Sequence, residues 1–507
     1  MSELLQEFGR LLDGLTSGTL GSSTGVLLQL LEPEKADHLR LCAIPHEFGP
    51  EILQVLVPAM SKEQAEARCR ELAELSIVSS VDDELSLHST ARSEIFGQWL
   101  HPENRAAFTE ASKRLVSYYD DPNIHLADEW RLHRRMFHLL GADLSRGFAD
   151  FEQLCRTARR ESRWSACANL ISLVHEYDPI LGPEIAAWLS YHEGKLASDL
   201  RDFERAEHLF EALIAAPTAS DELRAKALLR QGFIFGARRE FDRAIESYQA
   251  ALRLSESLVG TSFKEYDVLT SLGEAFRDSG ELQRAEQLLQ QSLAGAEAVE
   301  DLSAMANADN ALGALYLRRR EGTSAATYFQ NSLACLERLG DRFRSAQVYN
   351  NLGMVNSELG EWDKAENYFQ QSLEIKRQAG DTRGQAMTLL NQVRVFRRRN
   401  DFAQAVGLNR QAATLFGEIR DTYCQAEAQR TLGRTYAAMN DLEKAREALR
   451  NAAALFERCS SGEKAAEVRE EAEKLGRKIG LPWWAWLTII VPLAAFLLLV
   501  LLLIFEN

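Results

Sequence analysis

The sequence predicts an all-α solenoid of stacked helix hairpins, preceded by a smaller region of three helices and a β-hairpin and followed by one membrane-spanning helix. Three observations predict this. Seven alanines (Ala206, Ala244, Ala285, Ala325, Ala365, Ala405 and Ala445) each follow an acid by four positions, at an interval that settles to 40. The acids are Asp202, Glu240, Glu281, Glu321, Glu361, Asp401 and Asp441. Residues 35–120 break that period, and Trp483 to Phe505 carry no charge. Self-similarity at a period of about 20 to 50 residues marks a repeat array, in which each unit is buried against its neighbours and a long concave surface results.

Within the stretch Ala346 to Gln378, Leu352, Gly353, Val355 and Leu359 keep a helical apolar spacing, and Gly360 stops the helix in the left-handed region. Gly280, Asn400 and Asn440 stand at the same stop, and these two residue types tolerate positive φ best. Glu361 opens the second helix, where its charge suits the positive helix end. Trp362 packs behind it, and Ala365 is small because the two helices cross there. Phe369 and Leu373 continue the apolar stripe. Gly194, Gly232, Gly273, Gly313, Gly353 and Gly433, with Val393 in the vacant slot, are the matching small residues that let two backbones approach. Each repeat is a helix hairpin.

These residues resemble the tetratricopeptide repeat, whose signature has Leu-Gly in the first helix and small and aromatic residues in the second. The pairs here are Leu272-Gly273, Leu312-Gly313, Leu352-Gly353 and Leu432-Gly433. No proline closes the unit; Gly340-Asp341 and Gly380-Asp381 link repeats instead. That is similar to the longer subclass found in kinesin light chains, Pins-type polarity scaffolds and the arrays behind bacterial signalling ATPases. The resemblance covers about seven repeats over residues 183–460.

Before the array, Lys35–Ile44, Pro50–Met60 and Lys62–Leu75 read as helices, Ile77-Val78, Asp82-Asp83 and Leu85–Leu87 as strand, turn and strand, and Ser89–Leu100 as a helix. This order gives a winged-helix fold over 35–120, after an arm at 1–34 and before an irregular helical lead-in at 121–182. It resembles the winged-helix segment of STAND-class signalling ATPases through Leu39-Arg-Leu-Cys-Ala-Ile-Pro-His-Glu-Phe48. Leu87-His88-Ser89 falls at that family's Met-His-Asp motif, where only His88 matches, so the resemblance implies a nucleotide-sensing role for His88 at most. The nucleotide-binding core is missing, because no GxxxxGK[ST] phosphate loop occurs in the chain. Gly21-Ser-Ser23-Thr-Gly25 has the letters of a nucleophile elbow, but Leu15-Thr-Ser-Gly-Thr is not the strand such an elbow needs. Ser23 is therefore read as part of a loop, and no catalytic, cofactor or metal residue is assigned.

The net charge of −16 argues against a nucleic-acid binder, which needs clustered Lys and Arg. Arg318-Arg319-Arg320 and Arg397-Arg398-Arg399 each close a first helix, where cations suit the negative end; a docking point for an acidic partner is the other reading. All ten histidines lie at or before His208, and His133 and His138, five apart, are not spaced as ligands on one helical face. The seven cysteines form no CxxC pair, which fits a reducing compartment and argues against structural zinc.

The uncharged stretch of Trp483–Phe505 would span about 35 Å as a helix, enough for a bilayer core of about 30 Å. Trp483, Trp484 and Trp486 suit the interface, and Pro492 is tolerated in membrane helices. Lys474, Arg477 and Lys478, in a charged juxtamembrane segment at 461–482, would keep the repeats cytoplasmic. Met1 to Arg10 does not read as a signal peptide. A tail-anchored, single-pass protein of a bacterial inner membrane is expected.

Two functions fit. The first is a membrane-tethered, non-enzymatic scaffold that binds a protein or peptide on the concave repeat surface. In relatives of this repeat, asparagines at the positions of Asn310, Asn350, Asn351 and Asn391 grip an extended peptide, and a side-chain amide both donates and accepts. The second is a STAND-derived signalling effector or sensor, for instance in bacterial antiviral defence, acting with a separate protease or ATPase. Neither needs a cofactor, a nucleic acid or a small-molecule substrate.

Overall fold

The computed structural model describes residues 23–477, apart from 82–83, 125, 162, 259–262 and 460. It divides into two compact units between Ile234 and Phe235. Among the described residues there are 24 α-helices and one two-stranded hairpin.

The first unit begins with α1 (Ser23–Leu30), α2 (Pro33–Cys42), α3 (Pro50–Leu56) and α4 (Lys62–Ala73). Pro33 and Pro50 sit in first helical turns, where a missing N–H costs nothing. Ser61 and Gln64 cap α4 reciprocally. The hairpin β1 (Val78–Val81) and β2 (Glu84–Leu87) pairs Val78 with Leu87, and Phe48 bridges to Leu85 on the other side. Then come α5 (Ser89–Trp99), α6 (Arg105–Tyr119), α7 (Asp128–Ala142), α8 (Leu144–Arg160), α9 (Trp164–His175), α10 (Pro183–Asp199), α11 (Phe203–Ala215) and α12 (Asp221–Ala237). The helix, hairpin and helix order read from the sequence is the order found. Leu189 and Leu196 of α10 join the buried cluster of Leu39, Phe108 and Tyr177, so the first repeat helix shares the core of the region before it.

The second unit is a row of hairpins: α13 (Phe241–Ser255), α14 (Glu265–Ser279), α15 (Leu282–Ala298), α16 (Leu302–Arg318), α17 (Gly322–Leu339), α18 (Arg342–Leu359), α19 (Trp362–Gln378), α20 (Thr382–Arg398), α21 (Phe402–Glu418), α22 (Thr422–Ala438), α23 (Leu442–Arg458) and α24 (Gly462–Arg477). Its repeat is finer than the sequence spacing suggests. Positive φ occurs at Gly280, Glu300, Arg320, Gly340, Gly360, Gly380, Asn400, Arg420 and Asn440, and an acid follows each one. The turn within a hairpin and the turn between hairpins are therefore the same turn, used every 20 residues. Asp301, Asp341, Asp381 and Asp421 accept a backbone N–H of the helix they open. Glu281 and Glu361 carry one more methylene and make no such cap; they pair with Arg284 at 2.9 Å and Lys364 at 2.5 Å.

The glycine series admits close approach as expected: a Cβ on Gly273 or Gly433 would lie 3.3 or 3.0 Å from the backbone oxygen of Ala285 or Ala445. A Cβ on Gly353 would lie 2.7 Å from the Phe369 ring, and Gly313 stands likewise against Phe329. The small residue also makes room for a large side chain of the second helix, a ring at these two positions and a leucine at Gly273 and Gly433. Ala365 itself is fully buried at the crossing.

The membrane-spanning helix is corrected. Trp483, Trp484, Trp486 and Pro492 lie outside the described residues, and no helix among those described is long and apolar enough to cross a membrane. The fold is thus an all-helical hairpin array with a small hairpin-containing region, and the single-pass membrane location inferred from a span falls with it. The charged segment before the supposed span forms α24 instead. Its Ala465, Val468 and Ala472 pack with Leu449 and Phe456, while Arg430 reaches Glu467 at 2.5 Å and Glu471 at 3.0 Å.

Candidate functional site

The four predicted asparagines come together. Asn310 lies on α16, Asn350 and Asn351 on α18, and Asn391 on α20, the first helices of three successive hairpins, and all are half-buried. Asn351 Nδ2 donates to Asn310 Oδ1 at 2.9 Å, and Asn391 Nδ2 donates to Asn350 Oδ1 at 3.0 Å. Equivalent register on neighbouring helices produces this row of amide pairs. Each bond uses one N–H and one lone pair, whereas an amide offers two of each.

The arginine triplets serve the packing. Arg319 pairs with Glu286 of α15 at 2.9 Å, and Arg399, 80 residues on, pairs with Glu366 of α19 at 3.1 Å. Each ties a first helix to the second helix before it. Arg397 is held below its ordinary pKa by burial and by the arginines around it, and its Nε has no partner.

Two clefts were not foreseen. One, of about 610 Å³, opens between α17 and α19 over α18. Tyr349 and Ser345 come from α18, Leu336 and Glu337 from α17, and Asn367, Gln370, Gln371 and Glu374 from α19. The other, of about 350 Å³, lies in the first unit between α7, α9 and the loop before α3. There His46 and Arg92 hold both oxygens of Glu176 at 2.7 Å. Burial opposes it, yet these two partners keep Glu176 below the usual carboxylate range. Burial in turn pulls the His46 pKa down against the pull of Glu176. Trp130, 58% exposed, stands at the mouth with His133, and Phe137 forms a wall. Arg134 is anchored by Glu47 and Glu84. His46 and Glu47 lie inside the phrase that resembles the STAND segment, but no periodicity marks them.

The remaining sequence candidates separate. His88 is exposed at the start of α5, its N–H donating to the Ile77 carbonyl. Ser23 is the first residue of α1, and Gly21 and Ser22 lie outside the described residues. His138 is buried against Tyr119, and burial drives its pKa well down, as suits a packing residue. Cys155 and Cys167 are thiols 3.6 Å apart. Among the described residues no cluster of His, Cys, Asp and Glu could hold a metal.

Residues 223–298 and 304–378 match one tetratricopeptide repeat family, and residues 426–458 match another. The chain carries tetratricopeptide repeats. No curated protein matches it. Among solved structures it is similar to a Signal Transduction ATPase with Numerous Domains (STAND) protein with a tetratricopeptide repeat sensor from Pyrococcus horikoshii. The identity is 13% and the TM-score 0.51, over 90% of this chain and 65% of that one. The chain thus spans just under two thirds of that protein's length, and the likeness is one of fold. A Rap protein complexed with Competence and Sporulation Factor is similar at 14% identity and TM-score 0.46, over 65% of this chain and 96% of that one. Kinesin-light-chain-type repeats from Podosopora anserina are similar at 15% identity and TM-score 0.34, over 39% and 99%.

Proposed function

We propose that this chain is a non-enzymatic protein-interaction array that holds an extended segment of a partner along the first helices α16, α18 and α20. The observation that carries the reading is the asparagine row. Two amide pairs at one register fix four side chains in orientation, and each side chain keeps hydrogen-bonding capacity toward solvent. Pre-oriented amides lose little freedom when a peptide backbone docks on them. The test uses the partner that co-purifies with the chain from its own cells, then isolated. Asn310→Ala with Asn350→Ala should leave the fold intact and weaken binding roughly five- to a hundredfold, at about 0.5 to 1.5 kcal/mol for each lost bond. Unchanged affinity in that variant would refute the reading. Neither form should hydrolyse ATP.

A second reading takes support from the fold likeness to the STAND protein and from the helix–hairpin–helix order of residues 33–99. The array would then be a sensor, and a winged-helix-like region over 35–120 would meet a separate signalling partner. Under this reading, deleting residues 35–120 abolishes signalling while partner binding to the array persists.

A further inference from the structure

Cys155 Sγ of α8 and Cys167 Sγ of α9 lie 3.6 Å apart, sulfur against sulfur, in the core of the first unit. A disulfide bond is about 2.05 Å long, so the two atoms need to close by only about 1.5 Å to form one. Both side chains are 1% exposed. Cys167 nevertheless sits in the first turn of α9, where Ser165 and Ala168 beside it are exposed. Helix ends fray, so opening that one turn uncovers its sulfur to a small solute.

The groups around Cys167 favour a thiolate. Contact with the Cys155 thiol lowers its pKa, and Arg159 of α8 and Lys195 of α10 add to this, against burial and Asp199. Contact with Cys167 and burial raise Cys155, so the first proton leaves Cys167. A second pair of thiols supplies the contrast. Cys42 and Cys69 are also neighbours, but burial raises both, and Cys69 raises Cys42 further.

We propose that Cys155 and Cys167 form a reversible redox pair, which hydrogen peroxide oxidises to a disulfide that ties α8 to α9. The Cys167 thiolate attacks one peroxide oxygen, the O–O bond breaks, and the departing hydroxide takes up the proton that Cys167 had released. Cys167 is then a sulfenic acid. The Cys155 sulfur attacks the Cys167 sulfur; the S–S bond forms, the S–O bond breaks, and hydroxide leaves with the Cys155 proton as a second water. The thiols thus give up two electrons and two protons, and one peroxide becomes two waters. A small dithiol reverses the step by exchange. Leu170, Ile171 and Val174 of α9 share a buried cluster with Leu189 of α10, so the tie stiffens the core on which the first repeat helix rests.

The test treats the full chain with hydrogen peroxide, alkylates the remaining thiols after denaturation and maps tryptic peptides without reduction. Arg156, Arg159, Arg160 and Arg163 lie between the two cysteines, so trypsin parts them unless a bond joins them. The expected product is one linked peptide pair, two hydrogens lighter than its reduced components and released by dithiothreitol, with Cys42 and Cys69 still alkylated. In Cys155→Ala, dimedone should trap a sulfenic acid on Cys167; in Cys167→Ala it should trap none on Cys155. Should either variant fail to fold, mapping of the native chain still decides. Amide exchange across Trp164–His175 should slow in the linked chain. Cys459, a half-buried thiol, reports that the oxidant was active. Oxidised Cys459 beside fully alkylated Cys155 and Cys167 would overturn the proposal. So would a Cys42–Cys69 link that forms as fast, or unchanged exchange across α9 in a fully linked chain.

Discussion

The hairpins α18–α19 and α20–α21 share a register and differ in what fills it. In the first, Leu352, Gly353 and Phe369 are buried, the ring lying over the glycine. In the second the same positions are Gln392, Val393 and Asn409. Val393 occupies the space a ring would need, and the smaller Asn409 turns its amide so that nitrogen donates to the Ala428 carbonyl at 2.8 Å and oxygen accepts from Leu432 N–H at 3.1 Å. At the junction between the two hairpins, Lys376 stands where Leu336 and Phe416 stand in other repeats. Its Nζ donates at 2.8 Å to Thr388, which replaces Val348 and Ala428. Polar residues have entered the core as partnered sets. The residues matched to the repeat families stop at 378 and resume at 426, on either side of this hairpin. The register constrains volume and hydrogen-bond satisfaction jointly, so one position cannot change alone.

The largest effect should come from moving one member of a set. Phe369→Asn should cost about 3 to 5 kcal/mol, because it leaves a cavity over Gly353. Asn409→Phe should cost about 1 to 3 kcal/mol by driving a ring into Val393, and adding Val393→Gly should recover most of it. Urea unfolding of the two single variants and the double variant measures the coupling; additivity within a few tenths of a kcal/mol would break the comparison.

Lys376 gives a middle-sized effect with a defined pH dependence. Burial lowers its pKa from 10.5 to about 8, so between those values the unfolded chain holds a proton that the folded chain lacks. Stability should rise with pH from about 8 to about 10.5. Lys376→Met should add about 1 to 2 kcal/mol at pH 7 and flatten that rise in urea midpoints. A rise of equal slope in the variant would assign it to another group.

The smallest effects lie at the turns. Arg320→Gly should stabilise by about 0.5 to 1 kcal/mol by relieving a positive φ. Asp341→Ala should lose about 1 kcal/mol with its cap, and Glu361→Ala less, since Glu361 caps nothing. Thermal melts can rank the three.

Much of this was legible in the chain. The hairpins and the stops at Gly280, Gly360, Asn400 and Asn440 follow from spacing; the four asparagines were singled out by the family resemblance, and their amide pairing was not foreseen. The stops at Arg320, Arg420 and Glu300 were not legible, because nothing in an arginine or glutamate announces positive φ. They hid the 20-residue turn even though Asp301, Asp341, Asp381 and Asp421 mark it. The clefts were invisible for another reason. His46 meets Glu176 across 130 residues of sequence. The membrane span was read from hydrophobicity in residues beyond those described.

Hydrogen exchange of the native chain, read by mass spectrometry, tests the central claim that a partnered polar core sets one hairpin apart. Amides of Thr382–Arg398 and Phe402–Glu418 should open at a free energy about 1 to 2 kcal/mol below those of Arg342–Leu359 and Trp362–Gln378. Equal protection across the two hairpins would contradict it.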